Sequence, residues 1–352
     1  MNVLLVANMV ASKQAFEMLK KELEKRGHQV FPFLSAGKLE ETLVTDIAPI
    51  IANSNLIVLG MSSDENLAQQ ELGIAKIAKE NNTPYCFYGD TYSSCARPHL
   101  QQALEKAGTL FVINGEEAEK ASMVFPQLKV VVSGNPTWEE FCFPKFTPKL
   151  IRHSLSIAED EIVILVPFGK MFDINRLHLN GVIQAVDLAG GQTPNGKKIR
   201  IIASSHPGDP VEPEKYCGLV EPHQFTRIIP SALAPTLGLL PGVDLVIGSA
   251  STVGVAAAHQ GISVIDFLTK KALDRLEQST GQRTWAPCNL GASCMVTESE
   301  SERELMKAIL ALLKDPTSMR ERQKAVYPAP TKIGAAVEIM ADTIKQLAQE
   351  IT

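Results

Sequence analysis

Several common features are missing from this 352-residue sequence, and each absence excludes a class of protein. No apolar run approaches the roughly 18 residues of a membrane-spanning helix. The opening segment MNVLLVANMVASKQ has neither the basic leader nor the cleavage site of a secretory signal. The six cysteines form no CxxC pair, so the sequence lacks the usual signature of a zinc site and predicts reduced thiols. We therefore expect a cytoplasmic protein that binds no metal.

Excess charge of either sign is also lacking. The chain carries 34 Lys and Arg residues against 39 Asp and Glu residues, and residues 1–150 carry 14 and 17 of these. Neither half therefore offers the basic surface that nucleic acids require. With 45% hydrophobic and 21% charged residues the composition is that of a globular protein, which excludes disorder, collagen and coiled coil. The length predicts two domains.

The first half of the sequence alternates between apolar runs of strand length and helical patterns. It predicts strands at 3–7, 30–34, 56–60, 85–88, 110–113 and 129–132, and helices beginning near Ser12, Asn66, Leu100 and Gly115. Strands that alternate with helices indicate a parallel sheet covered on both faces.

The second half repeats this alternation after a segment, 142–160, that we interpret as a linker. Strands are predicted at 162–166, 199–203, 216–220, 227–229, 244–247 and 263–267, with helices at 174–188 and 252–259. An amphipathic pattern over 332–347 predicts a terminal helix. The predicted fold is α/β, with two Rossmann-like, doubly wound domains at 1–147 and 148–331. We expect residues 332–352 to pack back on the first domain.

Ligands of open parallel sheets bind beyond the carboxyl ends of the strands. The segment 248–254, GSASTVG, lies between a predicted strand and an Ala-rich helix. Small residues let a ligand approach the backbone, and the helix N-terminus favours an anion. We predict a phosphate contact through Ser249, Ser251, Thr252 and Gly254. The alternative is simple capping of a buried helix.

Two further loops of the second domain carry candidate residues. In SSHPGD, Pro207 holds His206 in an extended conformation, so its imidazole is predicted to be a phosphate donor or an acid/base group. In PFGK, Gly169 permits close approach and Lys170 offers a positive charge to phosphate oxygens.

One carboxylate of the first domain is placed by sequence for general base catalysis. Asp90 lies in the segment GDTYSS, directly after the strand predicted at 85–88, and Arg97 follows. The alternative interpretation is an Asx turn without a catalytic role.

The two doubly wound halves, the motifs SGNP, SHPGD and GSASTVGVAAAHQGISVI, and the returning terminal helix resemble the glycosyltransferase-B (GT-B) superfamily. Within it the sequence is most similar to UDP-N-acetylglucosamine 2-epimerases and related glycosyltransferases. The resemblance implies a nucleotide sugar in an interdomain cleft, with Ser251 and Thr252 on the diphosphate. It also implies that His206 matches the histidine of an HPNP-like loop and that Asp90 lies near an acidic catalytic position.

Two departures from the family pattern limit what is carried over. The stretch Val255-Ala256-Ala257 has no carboxylate where many relatives bind ribose with a Glu, and YGDTYSSCAR replaces the epimerase motif EAGLRT. Some cytidine-nucleotide-using transferases of this fold have a similar HP motif and hydroxyl-rich loop.

The leading hypothesis is a metal-independent, glycosyltransferase-like enzyme. Lys170 and the helix N-terminus at Ser251 and Thr252 would stabilise the leaving nucleoside diphosphate, while Asp90 or His206 deprotonates the acceptor. The alternatives are a hexosamine 2-epimerase and a non-catalytic binding or assembly protein. The nucleotide sugar is a substrate, so no cofactor is expected. Base, sugar, acceptor and oligomeric state stay open, with a homodimer among the options.

Overall fold

A computed structural model of the chain describes residues 1–35, 47–209, 213–220, 223 and 225–351. The chain divides into two compact units. The first unit comprises Met1–Glu140, Ser279–Gly281 and Pro330–Thr352, and the second comprises Phe141–Gln278 and Gln282–Ala329. The domain limits predicted at 147 and 331 differ from these divisions by a few residues.

In the first unit, strands and helices alternate along the chain. They are β1 (Asn2–Ala7), α1 (Val10–Lys25), β2 (Gln29–Leu34), α2 (Ala48–Ala52), β3 (Leu56–Gly60), α3 (Glu65–Glu80), β4 (Tyr85–Tyr88), α4 (Gln101–Leu104), β5 (Thr109–Val112), α5 (Gly115–Val124) and β6 (Lys129–Val132).

The second unit repeats the alternation, and a terminal helix follows it. The elements are α6 (Pro148–Ser154), β7 (Ile162–Pro167), α7 (Phe172–Leu188), β8 (Ile199–Ser204), α8 (Cys217–Val220), β9 (Thr226–Ile229), α9 (Thr236–Leu239), β10 (Leu245–Gly248), α10 (Thr252–His259), β11 (Ser263–Leu268), α11 (Lys270–Thr280), α12 (Ala286–Asn289), β12 (Cys294–Thr297), α13 (Ser301–Lys314), α14 (Thr317–Val326) and α15 (Ala335–Ile351).

The sheet of the first unit is parallel throughout, in the order β2-β1-β3-β4-β5-β6. Alternate residues of a strand point to opposite faces of the sheet, and each face packs in a core of its own. Val3 and Leu5 join a core with α1 and α15, whereas Leu4 and Val6 join a core with α3. The helix α15 therefore completes one of the two cores of the first unit.

The sheet of the second unit is also parallel throughout, in the order β12-β11-β10-β7-β8-β9. Counted from β7 this is the order 3-2-1-4-5-6 of dinucleotide-binding domains. The chain changes direction across the sheet between β7 and β10, which leaves a crevice at their carboxyl ends. The prediction of two doubly wound, Rossmann-like parallel sheets is confirmed.

Two local predictions are wrong. Residues 216–220 form no strand: a short 3-10 turn, Pro213–Tyr216, leads into α8. Within this run the Tyr216 ring packs on Phe168 and Phe172, with centroids 4.6 and 4.9 Å away. The segment 142–160, interpreted as a linker, contains α6, which Thr147 caps by accepting a hydrogen bond from the Leu150 N–H at 3.3 Å.

Membrane-spanning helices are absent from the described residues. None of the helices there is both long enough and apolar enough to cross a bilayer.

Candidate functional site

Three loops at the carboxyl edge of the second sheet carry the residues predicted in that unit. The strands β10, β7 and β8 are neighbours and parallel, so the loops that follow them leave from the same edge. These loops carry Gly169 and Lys170 after β7, His206 after β8, and Ser249, Ser251, Thr252 and Gly254 after β10. Two of the three lie at the switch point between β7 and β10.

The turn between β10 and α10 is held by a buried carboxylate. Ala250 has a left-handed backbone, φ +51°, which is uncommon for a residue with a side chain. Asp266 Oδ1 accepts a hydrogen bond from the Ala250 N–H at 2.9 Å, and Asp266 Oδ2 accepts one from Ser293 Oγ at 2.7 Å. Burial raises the pKa of Asp266, and the bonds from Ser293 and Ala250 partly oppose this. Asp266 of β11 thus holds the backbone of this turn in place.

Within this turn the predicted residues have different roles. Ser251 caps α10, since its Oγ accepts from the Gly254 N–H at 3.4 Å. Thr252 is exposed and opens the helix, whose first-turn N–H groups have no acceptor inside the helix. Gly254 is buried, and a Cβ there would lie 3.3 Å from Val264 Cγ1. Gly254 therefore serves close packing of α10 on β11, as the capping alternative expects, while Thr252 faces solvent.

A buried amide joins the loop after β7 to the loop after β8. Asn175, in the first turns of α7, accepts from the Gly169 N–H at 2.8 Å and donates to the Gly169 carbonyl at 2.9 Å. The same amide donates to Asp209 Oδ2 at 3.1 Å and to the Tyr216 hydroxyl at 2.9 Å. Tyr216 in turn donates to Asp209 Oδ2 at 2.8 Å. The positions of the two loops are therefore coupled.

The imidazole of His206 is oriented by its own turn. Its Nδ1 accepts a hydrogen bond from the Gly208 N–H at 2.8 Å, which leaves the proton of the neutral ring on Nε2. Lys170 lies alongside, with its Cε 3.4 Å from where a Cβ on Gly208 would be. Burial and the Lys170 charge lower the pKa of His206. This arrangement favours a hydrogen-bond donor over a proton acceptor.

In the first unit, Asp90 lies in the loop after β4 and is only 8% exposed. Its Oδ2 accepts from Ser12 Oγ at 2.8 Å, and its carbonyl accepts from Asn135 Nδ2 at 2.7 Å. Burial raises the pKa of Asp90, while the Arg97 guanidinium and the Ser12 bond act in the opposite direction. A carboxyl held with a raised pKa by its surroundings is typical of a catalytic acid or base.

Sequence reasoning missed two further buried carboxyls at this edge. Glu71 of α3 accepts from Ser62 Oγ at 2.9 Å and from the Ser62 N–H at 3.1 Å. Glu117 of α5 accepts from the Ser93 N–H at 2.7 Å. Burial raises the pKa of both. Arg97 is buried too, donates to the Met61 carbonyl and interacts electrostatically with Asp90, Glu71 and Glu117.

Within the described ranges, no group of three or more His, Cys, Asp or Glu side chains is arranged to hold a metal ion. That the reaction needs neither metal nor cofactor stays a prediction.

Known proteins resemble the chain in structure but not in sequence. No protein-family model matches the chain, and no curated protein matches it. A Listeria monocytogenes protein assigned as a UDP-N-acetylglucosamine 2-epimerase aligns with a TM-score of 0.69 at 14% identity, over 99% of this chain and 97% of that one. The Neisseria meningitidis UDP-GlcNAc 2-epimerase bound to UDP-GlcNAc aligns with a TM-score of 0.65 at 13% identity, over 98% of this chain and 100% of that one. The calicheamicin glycosyltransferase CalG4 aligns with a TM-score of 0.58 at 12% identity, over 100% of this chain and 99% of that one.

The chain has a GT-B fold. The alignments span nearly the whole length of every protein compared, and the two six-stranded parallel sheets described above account for them. At 12–14% identity such a likeness defines the architecture alone. Function on a shared fold must be argued from the residues of the site.

Proposed function

We propose that the chain is a nucleotide-sugar-dependent enzyme of the GT-B kind, and that it transfers the sugar to an acceptor. One observation carries the proposal: the three loops at the carboxyl edge of β10, β7 and β8 together present anion-binding groups. These are the Lys170 ammonium, the Nε2–H of His206 and the N-terminal turn of α10. A diphosphate needs charge neutralisation and N–H donors, and these groups supply both.

Preorganisation supports a role in the chemical step as well as in binding. Asn175 and Asp266 hold the backbone of these loops through partly buried hydrogen bonds before any ligand arrives. Donors that are fixed where negative charge grows stabilise the transition state without reorganising, and each is worth about 3 kcal/mol. As the glycosidic bond breaks, the electron pair passes to the diphosphate oxygen that these groups face in the proposal.

We assign to Asp90 the role of the base that deprotonates the acceptor. In the proposed step the acceptor oxygen forms a bond to the anomeric carbon, the bond to the diphosphate oxygen breaks, and the acceptor proton passes to Asp90. His206 is given the donor role, because its Nδ1 is engaged by Gly208 and its pKa is lowered by burial. Of the two bases that the sequence left open, Asp90 and His206, we therefore propose Asp90.

The nucleoside stays unassigned within this proposal. Val255, Ala256 and Ala257 of α10 are at most 2% exposed and offer no carboxylate to ribose hydroxyls. A nucleoside bound here would have its ribose held by other groups. The first experiment must therefore compare nucleotides.

The binding test is a thermal-shift panel of UDP-, GDP-, CMP- and dTDP-sugars at millimolar concentration. A ligand present at about 100 times its Kd raises the free energy of unfolding by about 2.7 kcal/mol. We expect such a shift with one nucleotide class. Absence of any shift across the panel would favour the non-catalytic binding or assembly protein and would overturn the enzyme proposal.

Variants locate the binding to the proposed loops. We expect Lys170→Gln and His206→Ala each to weaken the responding nucleotide sugar roughly tenfold, about 1.4 kcal/mol. His206→Gln keeps an N–H donor and should retain most of the affinity. Lys79→Gln removes an exposed lysine of α3 in the first unit and serves as the matched control. Equal effects of Lys79→Gln and Lys170→Gln would contradict the assignment.

A 2-epimerase is the second candidate, favoured by one observation. The carboxyl edge of the first unit holds three buried carboxyl groups, Asp90, Glu71 and Glu117, and burial raises the pKa of each. Epimerisation removes a ring proton and returns one, which needs acid/base groups of this kind. Incubation in deuterium oxide without an acceptor distinguishes the candidates. Deuterium uptake at C2 of the sugar indicates epimerisation, whereas nucleotide release that depends on an acceptor indicates transfer.

A further inference from the structure

An exposed segment of alternating aromatic and basic residues, 143–150, lies at the start of the second unit. Its sequence is FPKFTPKL, and all eight residues are exposed. Phe143 is 42% exposed, Phe146 46% and Leu150 53%. Three large apolar side chains this close together on a surface are unusual for a monomeric protein and indicate an interaction site.

This segment, the Phe-Lys segment, is firmly anchored. Behind Leu150, Ile151 is buried and packs so closely on Gly242 that a Cβ on the glycine would lie 2.5 Å from Ile151 Cγ2. Next to it, Arg152 forms an ion pair with Asp244 at 2.7 Å and donates to the Glu161 carbonyl at 3.1 Å. One side of α6 is thus fixed to the second unit. The exposure of the other side follows from this anchoring.

The apolar surface continues onto α9. Phe146 Cε2 lies 4.0 Å from the position of a Cβ on Gly238, which places the ring against that helix. The preceding residue, Leu237, is 42% exposed. The Phe-Lys segment and α9 therefore present neighbouring apolar side chains from two parts of the chain.

The charge of this region is opposite to that of the whole molecule. The chain carries a net charge of −5, yet residues 141–158 contain Lys145, Lys149 and Arg152 and neither Asp nor Glu. Lys145 and Lys149 are exposed between the apolar side chains. At physiological salt, charges interact over about 8 Å, so a partner that touches this segment meets the two exposed lysines first, while Arg152 is already paired with Asp244.

We propose that the Phe-Lys segment docks on an anionic lipid bilayer. The interfacial region of a bilayer accepts aromatic and aliphatic side chains, and lysines beside them are attracted to anionic headgroups. The required combination, apolar residues interleaved with positive charge on an anchored surface, is the one described here. A second copy of this chain, which also carries net negative charge, is the alternative occupant that the oligomeric state of the variants tests.

Vesicle sedimentation tests the proposal with the full chain. We expect binding to vesicles of phosphatidylcholine with 30% phosphatidylglycerol, and much weaker binding to phosphatidylcholine alone. Replacing both lysines, Lys145→Gln with Lys149→Gln, should weaken binding to the anionic vesicles roughly 30-fold. Replacing both phenylalanines, Phe143→Ser with Phe146→Ser, should weaken it by a similar factor. Raising the salt to 1 M should act like the lysine variant.

Matched controls come from the first unit. Lys76→Gln with Lys79→Gln removes two exposed lysines of α3, and Met123→Ser removes a side chain that is 82% exposed. Neither should alter vesicle binding, and circular dichroism should show every variant folded. The proposal is overturned if the wild-type chain binds neither vesicle or if the controls weaken binding equally. It is also overturned if the phenylalanine variant converts a dimer to a monomer without changing vesicle binding, because the segment then joins two copies.

Discussion

Two buried residues, Asn175 and Asp266, determine the shape of the second unit's candidate site without belonging to its exposed surface. Asn175 is 2% exposed and Asp266 is 1% exposed. Each hydrogen-bonds to the backbone of a loop through a partly buried bond, so replacement of either removes the group that holds the loop in place. The affinity of Lys170 and His206 for a ligand depends on this support.

At the same scale, Asp90→Asn is expected to separate stability from activity. The amide can still accept the Ser12 hydrogen bond but carries no buried charge. Because burial raises the pKa of Asp90, the folded wild type binds more protons than the unfolded chain above about pH 4, and its stability falls as the pH rises through the folded-state pKa. The variant should therefore be the more stable protein at pH 8, with the difference fading toward pH 4.

Urea unfolding across this pH range measures the stability effect, and turnover of the responding nucleotide sugar measures activity. Loss of a general base should lower the rate by about 10²–10⁴-fold. A variant that turns over normally would remove Asp90 from the proposed mechanism. A variant that is less stable at pH 8 would mean that Asp90 forms a net favourable ion pair.

Helix packing in the two units is tested by a pair of glycines at the element scale. Gly73 lies in α3 with no atom within 4 Å of the position of a Cβ, whereas a Cβ on Gly181 of α7 would lie 2.5 Å from Cε1 of the buried Phe267. Gly73→Ala should stabilise the chain by about 1 kcal/mol through helix propensity. Gly181→Ala should destabilise it by roughly 1–3 kcal/mol, since the ring must move within a packed core.

Thermal unfolding of the two variants, with the wild type alongside, measures both effects. Because the same substitution is made inside a helix each time, the difference isolates packing from propensity. Equal shifts of Tm would show that α7 does not lie as close to β11 as described here.

Prediction from sequence succeeded where burial on both faces enforces a pattern. The strands β3 and β4 begin and end at the predicted residues, because each is a short run, buried on both faces, between turn signals. The strand predicted at 216–220 was wrong, since a short apolar run around a buried tyrosine does not distinguish a strand from a turn. The helices and strand between 268 and 331 were mostly left unassigned, although α11 and α13 each carry a pronounced apolar stripe.

For the candidate site, too, some residues could be predicted from the sequence and others could not. Loops after strands were predictable, because parallel strands place them at one edge and because Gly, Ser and His in such loops suit phosphate binding. Glu71, Asn175 and Asp266 were missed, because a single polar residue within a helix or strand gives no signal until the fold brings its partner close. The Asn8 N–H, for example, reaches Glu71 Oε1 at 3.3 Å across 63 residues of sequence.

At the scale of the whole molecule, α15 ties the end of the chain to its beginning. Met340, Ala341 and Ile344 are fully buried in the core that includes Phe16 and Leu19 of α1. Arg26 forms an ion pair with Asp342 at 2.5 Å, and Glu139 accepts from the N–H groups of Gly334 and Ala336, each at 2.6 Å. The first unit therefore combines parts that are distant in the sequence.

Removal of residues 330–352 should damage the first unit selectively. The deletion exposes the apolar face of α1 and of alternate residues in β1, so we expect hydrogen exchange of both to accelerate by several orders of magnitude. Exchange in β7 and β8 of the second unit should change little. Met340→Ala, a milder variant, should lower the free energy of unfolding by about 2–5 kcal/mol. Uniform acceleration across both sheets would show that the units unfold together.

The position of α15 at the end of the sequence also determines when the core of the first unit can be completed during synthesis. The helix is translated after the whole second unit, which at 5–20 residues per second means a delay of roughly 10–40 seconds after residue 140 has been made. Throughout that interval, the apolar faces of α1 and β1 lack their cover while the following unit can already close its own core. The part of the protein that is translated first is therefore the last to become complete.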